Sequence, residues 1–222
     1  MSPSLRPLPA DLPKMDLPSP CLCLVTNRQL IGCEEMLGVI KESVRGGVNM
    51  VQLREKDLPG QSLADLSSRL YEVISRETFL IINERIDVAA ITESHGVQLG
   101  EKGLSTDAAR AILGGDVLIG RSVHSLEGAK VAEKEGADFL LAGTIFPSST
   151  HPGEETAGPR LVTRITSECS LPTIGIGGIN ESNVASVIEA GAQGVAVISG
   201  ILQSSDPNLT ARNLMDNMLA AM

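Results

Sequence analysis

The chain has 222 residues, of which 42% are apolar and only 2% aromatic, and its 27 acidic against 18 basic groups leave a net charge of −9. That length fits one large domain or two small ones, and a core this poor in aromatics must be built from Val, Ile, Leu and Ala, the residues of buried parallel strands. The acidic balance argues against a nucleic-acid or anionic-membrane surface, and no apolar run is long enough to span a bilayer.

Residues 1–20 carry six prolines and no continuous apolar stretch. They are expected to form a short, flexible, proline-rich arm rather than a secretory signal, with the domain occupying residues 21–222. The cysteines at 21, 23, 33 and 169 show no CxxC spacing, and the histidines stand far from them. They read as structural thiols of a reduced, cytoplasmic protein rather than as zinc ligands.

From residue 21 onward, short apolar runs alternate with amphipathic stretches. The candidate strands are 21–26, 50–54, 79–83, 96–99, 117–122, 139–143, 173–177 and 194–199. Helical spacing is clearest over 62–77 and over 180–191, where Asn180 is the expected N-cap, Asn183 lies close behind and Gly191 is the stop. Eight strand–helix repeats in this length predict a single closed (β/α)₈ TIM barrel, with an open doubly wound sheet as the alternative.

Active sites of such barrels are built from the C-terminal strand ends. Those ends supply Gln52, Arg54 and Lys56 after the second strand, Asn83 and Glu84 after the third, and Ser122 and His124 around the fifth. Gln52 and Arg54 share a strand face, and with Lys56 they suit a carboxylate or phosphate; a salt bridge to Glu55 or Glu84 is the competing reading. The last two strands run into Gly177-Gly178 and Ile198-Ser199-Gly200, where backbone N–H groups can approach an anion, although glycines also serve tight turns. His124 is the candidate acid–base group. His151 falls in a proline- and glycine-rich loop expected to act as a lid, and His95, before the fourth strand, reads as structural.

The segments QLREK, IGRSVHSLEGA, EGADFLLAGTIF, IGIGGI and GVAVISGI, in this order over nearly all of 21–205, resemble the thiamine phosphate synthase and TenI-type superfamily of (β/α)₈ barrels. The resemblance implies one of two chemistries. Synthases join a pyrimidine pyrophosphate to a thiazole phosphate, using magnesium on two aspartates and a lysine in a TxTK loop. Here the corresponding positions read Glu84, Gly103 and His151. GRSVHSLE instead resembles the TenI-type thiazole tautomerases, which convert a carboxylated dihydrothiazole phosphate to its aromatic isomer without a metal or cofactor. On that reading His124 moves the proton, the ligand is a small-molecule thiazole phosphate, and a homo-oligomer of two or more copies is implied. The synthase with Mg²⁺ is the alternative, and a non-catalytic phosphate-ligand binder on the same barrel is a further one.

Overall fold

The computed structural model describes residues 16–148 and 156–222. Eight parallel strands close into a barrel in the order β1 to β8, and β8 returns to β1 through pairs such as Cys23 with Ala196. The strands are β1 Cys21–Val25, β2 Met50–Leu53, β3 Phe79–Asn83, β4 Gly96–Leu99, β5 Leu118–Val123, β6 Phe139–Ala142, β7 Thr173–Ile176 and β8 Gly194–Val197. Each overlaps the segment expected from its apolar run.

Around them lie α1 Arg28–Ile31, α2 Cys33–Gly46, α3 Gly60–Val73, α4 Ile86–Ile91, α5 Thr106–Leu113 and α6 Leu126–Lys134. The remaining helices are α7 Pro159–Glu168, α8 Val184–Glu189, α9 Ser199–Leu202 and α10 Pro207–Ala220.

Two-residue alternation gives each strand an outer and an inner face. Outward residues such as Leu22, Leu24, Val51, Leu53, Leu80 and Ile82 join the helices in the main apolar cluster. Inward residues, among them Cys23, Met50, Ile81, Phe139 and Ile174, form a second cluster inside the barrel. Phe139 supplies the large volume there, and Gly120 makes room for it: a Cβ on Gly120 would lie 2.2 Å from Phe139 Cζ. All four cysteines are free thiols, and burial raises Cys23 to about 12, consistent with packing rather than reactivity.

Two local expectations are corrected. The helix expected over 62–77 runs from Gly60 to Val73, because Ser75 and Thr78 close a hydroxyl-bonded turn before β3. Asn180 does not cap α8. It accepts from the Ser182 N–H at 2.9 Å in a local turn, and Asn183 is the cap residue, while Gly191, at φ 102°, stops the helix as expected. The described end of the proline-rich arm, from residue 16, makes contacts with the barrel. Leu17 packs against the inner cluster, Pro18 O accepts from Gln193 Nε2, and Pro20 O accepts from Asn49 Nδ2. Gln193 precedes β8 and Asn49 precedes β2, so this segment lies across the N-terminal end, opposite the site.

His95 lies at that same end. It is buried, its Nδ1 accepts from the Leu80 N–H at 3.0 Å, and its ring centre is 5.1 Å from that of Phe79. Burial holds its titration below the ordinary histidine value.

Candidate active site

A cavity of about 450 Å³ opens at the C-terminal mouth of the barrel. The fold brings every site residue expected from the sequence to its wall: Gln52, Arg54, Lys56, Asn83, Ser122, His124, Gly177, Gly178, Ile198, Ser199 and Gly200. His151 and the residues before it in the same loop, Ser149 and Thr150, lie outside the described residues.

Inward alternation puts amides and a hydroxyl on the top layer of the barrel interior, where each must find a partner. Gln52 Nε2 donates to Asn83 Oδ1 at 2.9 Å, and Gln98 Nε2 donates to Ser122 Oγ at 3.0 Å. These two pairs, each spanning neighbouring strands, give the cavity a fixed polar floor.

On the β2 side, the Arg54 N–H donates to Thr26 Oγ1 at 2.9 Å, which sets where the chain leaves the strand. Glu55 turns away from the cavity. It is buried and accepts from the Arg28 N–H at 3.0 Å, and burial pushes its carboxyl above the usual range against the opposing bonds from Thr26 and Arg28. The competing salt-bridge reading therefore fails for Glu55, whose cation is Arg28. Among the described residues, neither Arg54 nor Lys56 enters an ion pair, so both cations are available to a ligand.

Opposite them, Gly177 and Gly178 adopt φ values of 106° and 61°. Asn183 Nδ2 holds the Gly178 carbonyl at 3.0 Å, and the Gly177 carbonyl accepts from the Phe146 N–H at 3.0 Å. The carbonyls are thereby occupied. The amides of Gly178, Ser199 and Gly200 make no backbone bond among the described residues and remain open to an anion. Ser199, expected as a strand end, is instead the first residue of α9.

Between these two walls stand Glu84, Glu101 and His124. Glu84 takes a left-handed backbone at φ 60°, and its Oε1 accepts from the Gly100 N–H at 3.1 Å. His124 directly follows β5, with Nδ1 3.0 Å from Glu101 Oε2. Its flanking hydroxyls have separate work: Ser122 belongs to the polar floor, and Ser125 caps α6 by accepting from the Gly128 N–H.

The sequence presents Glu101 only as a possible metal ligand beside Glu84, not as the partner of His124, and it does not mark Gln98 as a site residue. Both sit at the end of β4, a position equivalent to those that supplied the other residues, but their partners are 23 and 24 positions away along the chain.

A family model described as thiamine monophosphate synthase matches residues 22–201. The chain belongs to this family. It is 39% identical over 196 residues to a putative thiamine-phosphate synthase of Geobacter sulfurreducens, covering 87% of this chain and 92% of the relative. It is 40% identical over 197 residues to a thiamine-phosphate synthase of Desulfitobacterium hafniense, covering 88% and 95%. Among solved structures, thiamine phosphate pyrophosphorylase from Pyrococcus furiosus superposes with a TM-score of 0.82 at 30% identity, covering 91% of this chain and 96% of the other. A 3-hexulose-6-phosphate synthase, at 16% identity and a TM-score of 0.70, shares the fold.

The magnesium of the synthases sets a test for the donor set. Mg²⁺ needs oxygen ligands in octahedral array. At the two positions where the resemblance implies aspartates, this chain has Glu84 and Gly103, and glycine offers no side-chain oxygen. A Cβ on Gly103 would lie 3.3 Å from Glu84 Oε1, so the missing carboxylate is the one that would have paired with Glu84. Among the described residues, no group of three acidic, histidine or cysteine side chains is placed to hold a metal ion. These side chains do not fit the two-carboxylate magnesium site.

Proposed function

We propose that this family member acts on a thiazole phosphate of thiamine biosynthesis, and that its reaction is the tautomerisation of a carboxylated dihydrothiazole ethyl phosphate to the aromatic thiazole. The observation that carries this reading is a combination within one cavity. An imidazole and an open anion cradle are both present, while position 103 supplies no carboxylate beside Glu84.

The amides of Gly178, Ser199 and Gly200 would take the phosphate, and Arg54 and Lys56 the carboxylate on the ring. Held at both ends, the ring presents its carbon-bound proton to His124. The imidazole takes that proton from the ring carbon and returns it to the exocyclic carbon, so nothing is consumed and the ring gains aromaticity. The reaction needs no metal and no cofactor.

Thiamine phosphate synthase is the second reading, and the names of the relatives favour it: those cited above at 39% and 40% identity carry that name or its putative form. It requires a magnesium–pyrophosphate complex held with Glu84 as the family's one remaining carboxylate.

One assay separates the two readings. The purified protein is given either the dihydrothiazole carboxylate phosphate with EDTA, or hydroxymethylpyrimidine pyrophosphate, thiazole phosphate and Mg²⁺. Aromatisation in the first mixture, unaffected by the chelator, is the expected result. Thiamine phosphate formed only in the second would put the synthase in its place.

A further inference from the structure

We infer that Glu101 is a positioning residue for His124: it accepts the Nδ1–H bond and so makes Nε2 the nitrogen that carries the substrate proton. The chemistry of this step rests on the tautomerase reading above; the positioning rests on geometry alone.

An ionised carboxylate can only accept, so the 3.0 Å contact between Glu101 Oε2 and His124 Nδ1 requires the proton on Nδ1. In the neutral ring, Nε2 is then the basic nitrogen, and it has no protein partner among the described residues. Both side chains line the cavity.

The fold holds Glu101 in place from three sides. Arg121, on β5, donates from Nη2 to the Glu101 carbonyl at 3.0 Å and from Nη1 to the Leu104 carbonyl. Glu84 Oε1 fixes the preceding residue through the Gly100 N–H. Gly128, in the first turn of α6, leaves space for the carboxylate: a Cβ there would lie 3.3 Å from Glu101 Oε1. A pair this exposed, with 56% of the histidine and 45% of the glutamate side chain accessible, adds little to stability, so its value lies in orientation.

In the reaction, the C–H bond at the ring carbon breaks and its proton forms an N–H bond on Nε2. The resulting imidazolium lies against the Glu101 carboxylate while the ring system holds the electron pair. The proton then bonds to the exocyclic carbon, and His124 returns to its neutral Nδ1–H form.

The test combines kinetics with the ¹⁵N spectrum of the full-length protein, which has only three histidines to resolve. In alkaline buffer, His124 should show the Nδ1–H tautomer in the wild type and lose it in Glu101→Ala. The same variant should lower kcat on the order of 10–100-fold with KM nearly unchanged, since a misoriented base still permits binding. Glu101→Gln, whose amide oxygen can still accept from Nδ1–H, should recover much of the tautomer preference. An Nε2–H tautomer in the wild type, or a Glu101→Ala protein with unchanged tautomer and kcat, would overturn the proposal. If the wild type is inert toward the dihydrothiazole but Glu101→Ala still shifts the tautomer, the tautomerase reading falls and the positioning stands.

Discussion

Replacing Gly178 with alanine tests whether the β7 turn is held by backbone geometry or merely tolerates glycine. At φ 61°, an L-residue takes on about 1–2 kcal/mol of strain. The added Cβ would also lie 2.3 Å from Pro147 O and 2.7 Å from Phe146 O, both rigid backbone atoms. The loop after β6 must therefore shift, at an overpacking cost of about 1–3 kcal/mol. A total near 3 kcal/mol corresponds to a fall of about 6–12 °C in Tm for a domain of this size. Gly200→Ala is the matched comparison on the other side of the cradle. Its backbone is not left-handed, and its Cβ would meet Val197 Cγ1 at 3.1 Å, a side-chain methyl that can yield. Its expected cost is under about 1 kcal/mol. Thermal unfolding of both variants, followed by circular dichroism, reads the difference directly. A Gly178→Ala protein melting within about 2 °C of wild type would refute the reasoning, because neither the strain nor the collision would then be real.

Two further outcomes follow from the histidines. His124→Asn should lower tautomerase turnover by about 10²–10⁴-fold while Tm changes little, because the side chain is exposed and its bond to Glu101 is a surface contact; unchanged turnover would remove His124 from the mechanism. His95 predicts a pH effect on stability. Burial holds its folded titration below the ordinary histidine value of about 6.5, so between the two the unfolded chain binds more protons, and stability must fall as pH drops below about 6.5. Chemical denaturation between pH 8 and 5 on wild type and His95→Gln should show this loss only partly retained in the variant. Superimposable pH profiles would exclude His95 as the source.

How much of this was legible in the sequence depended on whether a feature is local. The eight strands were readable because runs such as FLIIN and GVAV are short, apolar and closely bounded by turn residues. The rim residues followed once a barrel was assumed, since position at a strand end is itself local information. What escaped were pairings between strands. Gln98 sits under Ser122 because β4 and β5 pair in register, with Gln98 opposite Gly120, and no spacing within either segment shows this. By spacing alone Glu55 is a partner for the site cations, yet α1, which follows β1, brings Arg28 nearer and draws the carboxylate out of the cavity. The extent of α3 departs from its sequence pattern for a different reason: the pattern continues past Val73, but the turn between Ser75 and Thr78 offers the backbone a competing hydrogen bond.

The same logic bears on the two chemistries weighed for this site. Both would use the polar floor, the β2 cations and the glycine cradle, so none of these features separates a tautomerase from a synthase. Among the described residues, the difference lies at the C-terminal ends of β3, β4 and β5, where a few side chains decide whether carboxylates converge on a cation or on an imidazole. Here Glu84 is tied to the Gly100 amide, Gly103 contributes no side-chain oxygen, and Glu101 pairs with His124. Identity near 40% across the whole barrel averages over this small region, because most matching positions build the shared scaffold. The three loops after these strands therefore carry more information about the reaction than overall similarity does.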